Sequence, residues 1–182
     1  FRTIRKLYHN AKIPLGGELF DVPDRGLQFA DGRLLMGFSA GDAEKFAGLH
    51  ALAVLLIIEE ASGIEQQIVE AAKGALTGGG RMLMISNPSK QSGEFFDSHH
   101  AKSKLWQCLS TSAFDSPNIT GSEPEIPGLI DREWIDEMAL DYGEESAVYA
   151  VRVLGEFPSQ AADAVITLAL IDAAKERWLE LM

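Results

Sequence analysis

The sequence predicts a mixed α/β fold with a mainly parallel sheet. The continuous apolar run Ala53-Val54-Leu55-Leu56-Ile57-Ile58 has the composition of a strand buried on both faces of a parallel sheet. A strand, helix, strand order follows within about 35 residues, the length of a βαβ unit, whose crossover is expected to be right-handed. Polar residues stand directly after each apolar run, where ligands bind in open α/β sheets.

Taken in order, Phe1 to Pro23 mixes basic, aromatic and Gly/Pro residues without a sustained period, and reads as an entering helix or strand end followed by a loop. Leu27-Gln28-Phe29 and Arg33-Leu34-Leu35-Met36-Gly37-Phe38 flank Ala30-Asp31-Gly32. Asp-Gly between short apolar runs signals a hairpin. After the apolar run come Glu59-Glu60-Ala61-Ser62, then Ile64, Ile68, Ala71, Ala72, Ala75 and Leu76 at helical spacing. Gly78-Gly79-Gly80 closes that helix by supplying positive φ. Met82-Leu83-Met84-Ile85 is the second strand of the unit and ends in Ser86-Asn87-Pro88.

Gly93 to Lys104 is expected to be helical, and Leu105 to Ser112 alternates like a further strand. A loop is marked by Pro117, Pro124 and Pro127. Leu129, Ile130, Trp134, Ile135, Met138 and Tyr142 then line one helical face, with Asp131 as its N-cap. Ala147, Val148, Val151 and Leu154 predict another helix, closed by Gly155 and Pro158. Ser159-Gln160-Ala161-Ala162-Asp163 reads as a linker, and Val165 to Met182 as a short helical element.

The chain has 182 residues, with 16 Lys and Arg against 27 Asp and Glu and a formal charge of −11. Such a balance excludes a protein that grips nucleic acid over its whole surface, because phosphate contacts need clustered cations. At 46% hydrophobic and 24% charged residues, the composition is that of a globular protein. Cys108 stands alone, so no intrachain disulfide forms. The longest apolar run, Ala51 to Ile58, is far shorter than the ~20 residues that span a bilayer. No secretory signal follows the basic N-terminus. There is no initiator Met, and the chain is expected to be part of a longer one.

The polar strand ends are Ser39, Glu59 with Glu60, Ser86 with Asn87, and Ser112 with Asp115. If their strands are neighbours in one parallel sheet, these residues lie along one edge. Four apolar residues followed by two carboxylates form the strongest signal. A nucleotide-hydrolysing site needs one acid at the strand end to hold Mg²⁺ through its water shell, and a second to orient the attacking water. Glu60 reaches the same site as Glu59 only if the strand ends there, because successive strand residues face opposite ways. Two glutamates that solubilise a strand end, or that open a helix, fit the same pattern. Ser86-Asn87-Pro88 suits a sensor of the terminal phosphate or equally a simple turn.

Other features point away from chemistry. Gly74 to Arg81 has the outline of a phosphate loop, but it runs from helix to strand and lacks the Lys-Ser/Thr ending. Asp97, His99 and His100 read as a solvated helix face rather than a metal site. Cys108 reads as a packed thiol. Trp106, Trp134 and Trp178 read as core or interface anchors.

Ser39-Ala40-Gly41-Asp42-Ala43-Glu44-Lys45-Phe46-Ala47-Gly48-Leu49-His50-Ala51, followed by the apolar strand and Glu59 to Ile64, resembles the ATPase core of phage terminase large subunits, the DNA-packaging motors. The likeness continues through Ser86 to Ser89, Ser92 to Ser98, Ser112 to Asn118, Ile126 to Ile130 and Tyr149 to Pro158. It implies a three-layer αβα P-loop NTPase core, RecA/ASCE-like and N-terminally incomplete. By the same resemblance, residues 1–158 are a partial ATPase domain, and residues 159–182 are a linker and the start of a nuclease-like domain. The implied cofactors are ATP and Mg²⁺, with Glu59 on the metal side of the Walker B strand and Glu60 as the catalytic glutamate. Ser86 and Asn87 match the motif that couples hydrolysis to motion, and Gly48 and His50 match a recurrent Gly-x-His feature of unassigned role.

The implied partners are double-stranded DNA, a portal protein and a small terminase subunit, in a ring-forming homo-oligomer in the cytoplasm of a bacterial host, with no membrane. Two departures stand out. Glu59 occupies a position where the family usually has Asp, and Gly-x-x-x-x-Gly-Lys-Ser/Thr occurs nowhere in the sequence. That phosphate loop is therefore expected upstream of Phe1, and ATP turnover by these residues alone is expected to be weak or nil. Another RecA-like motor, such as a helicase, shares the Walker B logic. A prophage remnant acting only as a binding module is the alternative of a different class.

Overall fold

A computed structural model describes residues 1–21, 25–39, 46, 51–121, 124–159 and 177–178. The chain divides into two compact units, Phe1–Ala43 and Glu44–Met182. The Gly48 and His50 feature, and most of the expected linker and terminal element, lie outside the described residues.

In the first unit, helix α1 (Arg2–His9) precedes strand β1 (Glu18–Phe20), and β2 (Arg25–Gln28) and β3 (Leu34–Gly37) complete an antiparallel sheet in the order β1-β2-β3. The expected hairpin is β2 and β3, with Gln28 opposite Leu34 and the Phe29 amide donating to the Arg33 carbonyl at 2.9 Å. Asp31 fixes the turn by accepting from the Arg33 amide and its guanidinium. Strand β1 was not foreseen, since three residues are too few to show a period. α1 is tied down within this unit by an ion pair of Arg5 with Asp21 at 2.5 Å and by the Tyr8 hydroxyl, which donates to the Gly17 carbonyl at 2.7 Å.

The second unit contains the βαβ element: β4 (Leu55–Glu59), α2 (Gln66–Ala75) and β5 (Arg81–Ile85). The strands pair in parallel, with Leu55 opposite Arg81 and Glu59 opposite Ile85. Ile68, Val69, Ala72 and Ala75 are buried along one face of α2, where each large aliphatic contributes about 1.5–3 kcal/mol through removal from water. Gly79, at φ +104°, makes the turn into β5 that a side-chain-bearing residue resists.

Burial differs from expectation here. Ile58 is buried, yet Leu55 and Ile57 of β4 and Leu83 and Ile85 of β5 are exposed. Burial alternates along both strands, so among the described residues one face only of this two-stranded sheet is covered, and alternate residues of an all-apolar run face outward.

Beyond β5, α3 (Glu94–His99) is followed by a 3₁₀ turn over Ser103–Leu105, so the helix is shorter than the sequence predicts. Leu105 to Ser112 forms no strand. Leu105 and Leu109 are each 81% exposed, and the segment is held by side chains and single bonds, including Ser110 Oγ donating to the Gly155 carbonyl at 3.3 Å. Period-two alternation needs a neighbouring backbone to become a ladder, and none pairs with this segment among the described residues.

A short α4 (Pro117–Thr120), α5 (Arg132–Tyr142) and α6 (Ala147–Tyr149) follow, the last running into a π-helical turn over Ala150–Leu154. Asp131 caps α5 as expected, accepting from the Trp134 amide at 2.9 Å. Ala113, Ile135, Met138, Tyr149 and Val153 form one buried cluster. Gly155, at φ +67°, ends the π turn where a side chain would collide with the Thr111 carbonyl.

Candidate functional site

Because β4 and β5 run parallel with Glu59 level with Ile85, the residues that leave the two strands emerge side by side. Glu59 and Glu60 leave one strand, Ser86 and Asn87 the other. The structure therefore brings these four together. It does not bring Ser39 into that sheet, since the hairpin forms a separate antiparallel one, and Ser112 and Asp115 follow no strand. These two instead form a capping box at a 3₁₀ turn, with Asp115 accepting from the Ser112 amide at 2.7 Å.

Glu60 has φ 55° and ψ 38°, the left-handed conformation, and it is the one non-glycine residue with positive φ among the described residues. Such geometry costs a residue with a Cβ about 1–2 kcal/mol. The strand alternation stops at this residue, and the chain turns into a 3₁₀ turn over Ala61–Gly63. Both carboxylates are exposed, and neither forms an ion pair among the described residues.

Ser62 joins the two strand ends. Its amide donates to Ser86 Oγ at 3.1 Å, its hydroxyl shares a hydrogen bond with Ser89 Oγ at 3.1 Å, and that hydroxyl accepts from the Lys90 amide at 3.1 Å. Ser62 is only 6% exposed, as is expected of a hydroxyl with every neighbour satisfied. Sequence reasoning gave it no role. The one available signal was a small hydroxyl residue two positions after the acids, which is too common to single out.

Behind this edge, Glu94 at the start of α3 is 2% exposed, with its carboxylate bound by Lys73 of α2 at 2.5 Å and by Lys102 at 2.8 Å. Lys102 also reaches Asp97 at 3.1 Å. Burial, the largest influence, pushes the Glu94 carboxyl up, but hydrogen bonds from Lys102 and Lys73 and their charges outweigh it, leaving its pKa below the ordinary value. The same bonds to Glu94 and Asp97 hold Lys102 above its usual value. Glu94 too was missed, because its partners lie 21 residues before it and 8 after.

On the side of β5 that carries Ser86 and Asn87 lies a groove of about 630 Å³, closed by α3, by residues 106–111 and by residues 155–157. His99 and His100 edge this groove and pack on aromatic rings. His100 stacks on Phe96 at 3.9 Å, and both histidines meet Phe157 edge-on. Among the described residues no group of three His, Cys, Asp or Glu is placed to hold a metal ion. Cys108 is exposed rather than packed, with Sγ donating to the Ser98 carbonyl at 3.1 Å. Trp106 and Trp134 are half-buried, and Trp178 is 59% exposed. The Gly78 to Gly80 turn links helix to strand, which is the order that a phosphate loop does not have. No helix among the described residues is long and apolar enough to cross a membrane.

No family model matches the chain, and no solved structure matches it. Over 148 residues it is 32% identical to a protein of Enterobacteria phage P7 named "Probable terminase, large subunit". The match takes in 76% of this chain and 27% of that protein, so the chain spans about a quarter of its relative's length. The chain therefore belongs to the phage terminase large subunit family, and the resemblance carried by the motifs is borne out by 32% identity over 76% of its length.

Proposed function

We propose that this chain, a relative of part of a phage terminase large subunit, supplies the Walker B and coupling segments of a DNA-packaging ATPase. In this reading, residues 1–158 are a partial P-loop NTPase domain, and residues 159–182 lead into a following domain. The observation that supports it is the register of Glu59 against Ile85, by which Glu59 and Glu60 leave one strand level with Ser86 and Asn87 leaving the other.

The donor set fits the metal. Exposed carboxylate oxygens are the hard ligands that Mg²⁺ takes, one or two at a time, while it keeps much of its water. Glu59 would hold the ion on its strand-end side, and Mg²⁺ would neutralise charge on the transferring phosphoryl group. Glu60 would orient the attacking water and accept its proton, and its left-handed backbone turns the side chain out of the strand alternation. Ser86 is bonded to the Ser62 amide, so a change at the phosphate end of β5 would be felt directly at the turn that carries Glu60. A phosphate-binding loop would come from the longer protein, and the groove beside β5 leaves room for a further strand. Double-stranded DNA, a portal protein and a small subunit are the partners of this reading, in a ring of copies within the host cytoplasm.

The test uses the protein extended upstream to include a phosphate-binding loop. ATP turnover is expected, and Glu60→Gln should lower it by about 10²–10⁴, the usual contribution of a positioned proton acceptor, while nucleotide binding is retained. Turnover unchanged in Glu60→Gln would sink the assignment.

A further inference from the structure

We infer that the basic face of α1 docks on the phosphate backbone of duplex DNA. The choice of DNA as the polyanion rests on the motor reading, whereas the surface itself rests on charge and geometry. Four of the sixteen Lys and Arg, and none of the 27 Asp and Glu, fall in the first seventeen residues. Everywhere else acids outnumber bases by more than two to one. An overall charge of −11 repels a polyanion, so approach is favoured only where clustered cations outnumber the carboxylates beside them.

Helical spacing puts Arg2, Arg5 and Lys6 on one face of α1, with Ile4, Leu7 and Tyr8 on the other. The helix is held in place by Arg5 on Asp21 and by Tyr8 on the Gly17 carbonyl. Arg5 is thereby spent as an anchor. Arg2, Lys6 and, just beyond the helix, Lys12 are exposed and have no carboxylate partner among the described residues. Arg2 and Lys6 stand about 6 Å apart along the axis, close to two nucleotide rises of about 3.4 Å on one strand. Two free cations on the anchored helix match the phosphate spacing, a third follows just beyond its end, and none has a means of reading base edges, so contact should be independent of sequence.

Binding of the full 182-residue chain to a fluorescent 30-bp duplex, followed by anisotropy without nucleotide, tests this. Three phosphate contacts give a slope of about −2.7 in log affinity against log salt, or about 40-fold weaker binding from 50 to 200 mM salt. The Arg2→Ala, Lys6→Ala, Lys12→Ala triple variant should lose that dependence, with an unchanged circular dichroism spectrum, while the exposed Lys104→Ala control keeps it. An unaltered slope in the triple variant, or no duplex binding at 50 mM salt, overturns the inference. So does α1-dependent binding to phosphatidylserine vesicles without duplex binding, which would make α1 a membrane-surface helix. Because the assay contains no ATP, its failure leaves the Glu60 reading standing, and an active Glu60→Gln leaves this one standing.

Discussion

Glu60 is a residue in a conformation that its own chemistry disfavours, and that makes its replacement by glycine informative. At φ 55° and ψ 38°, a side-chain-bearing residue sits about 1–2 kcal/mol above its relaxed state. Glycine escapes that strain but loses about 0.5–1 kcal/mol more conformational freedom on folding. The difference predicts that Glu60→Gly is more stable than Glu60→Ala by about 0.5–1 kcal/mol, since alanine keeps the strain. With a urea dependence of about 2 kcal/mol per molar, the midpoint should rise by about 0.25–0.5 M. Urea titration of the 182-residue chain, followed by far-ultraviolet circular dichroism, reads this directly. In the upstream-extended protein both variants should lack ATP turnover, so stability and activity would move in opposite directions for glycine alone. A midpoint for Glu60→Gly equal to or below that of Glu60→Ala would show that no strain is stored there, and with it would go the physical case for a specially held carboxylate.

Two further outcomes follow from the contacts behind the site. Ser62→Ala removes the acceptor of the Lys90 amide and the partner of Ser89, and should cost about 1–3 kcal/mol, read as a lower urea midpoint with faster hydrogen exchange at the Lys90 amide. Glu94→Gln should cost about 1–2 kcal/mol at neutral pH, a moderate figure because Lys73 and Lys102 remain partly hydrated when released. The Glu94 pKa is lower folded than unfolded. Its contribution is therefore full above the ordinary carboxylate value of about 4.3 and vanishes as pH falls through the lower folded value. The gap between parent and Glu94→Gln in urea midpoint should close over that acidic interval, and a gap constant with pH would refute the ionic account.

What was legible in the sequence was what local pattern controls. The individual segments β4, α2 and β5, the Asp31-Gly32 turn and the Asp131 cap each show in a pattern of residues close to one another in sequence, so spacing alone announces them. Sheet membership was not legible, because Leu34 to Gly37 and Leu55 to Glu59 carry the same apolar signal while pairing in different sheets. Leu105 to Ser112 alternates as a strand does, but alternation reports what a backbone tolerates and not whether a neighbour pairs with it. The Glu94 clasp draws on lysines 21 residues before it and 8 after, and no local periodicity links the three.

Glu60 is different in kind. Nothing about glutamate favours positive φ, so the conformation is imposed by what surrounds it: the strand ending at Glu59, the 3₁₀ turn beyond, and Ser62 bonded across to Ser86 and Lys90. A glycine would fill that position without strain. Its absence, at a strand end level with Ser86 and Asn87, supports the proposed use of the Glu60 carboxylate, since strained conformations cluster at sites where function uses the side chain.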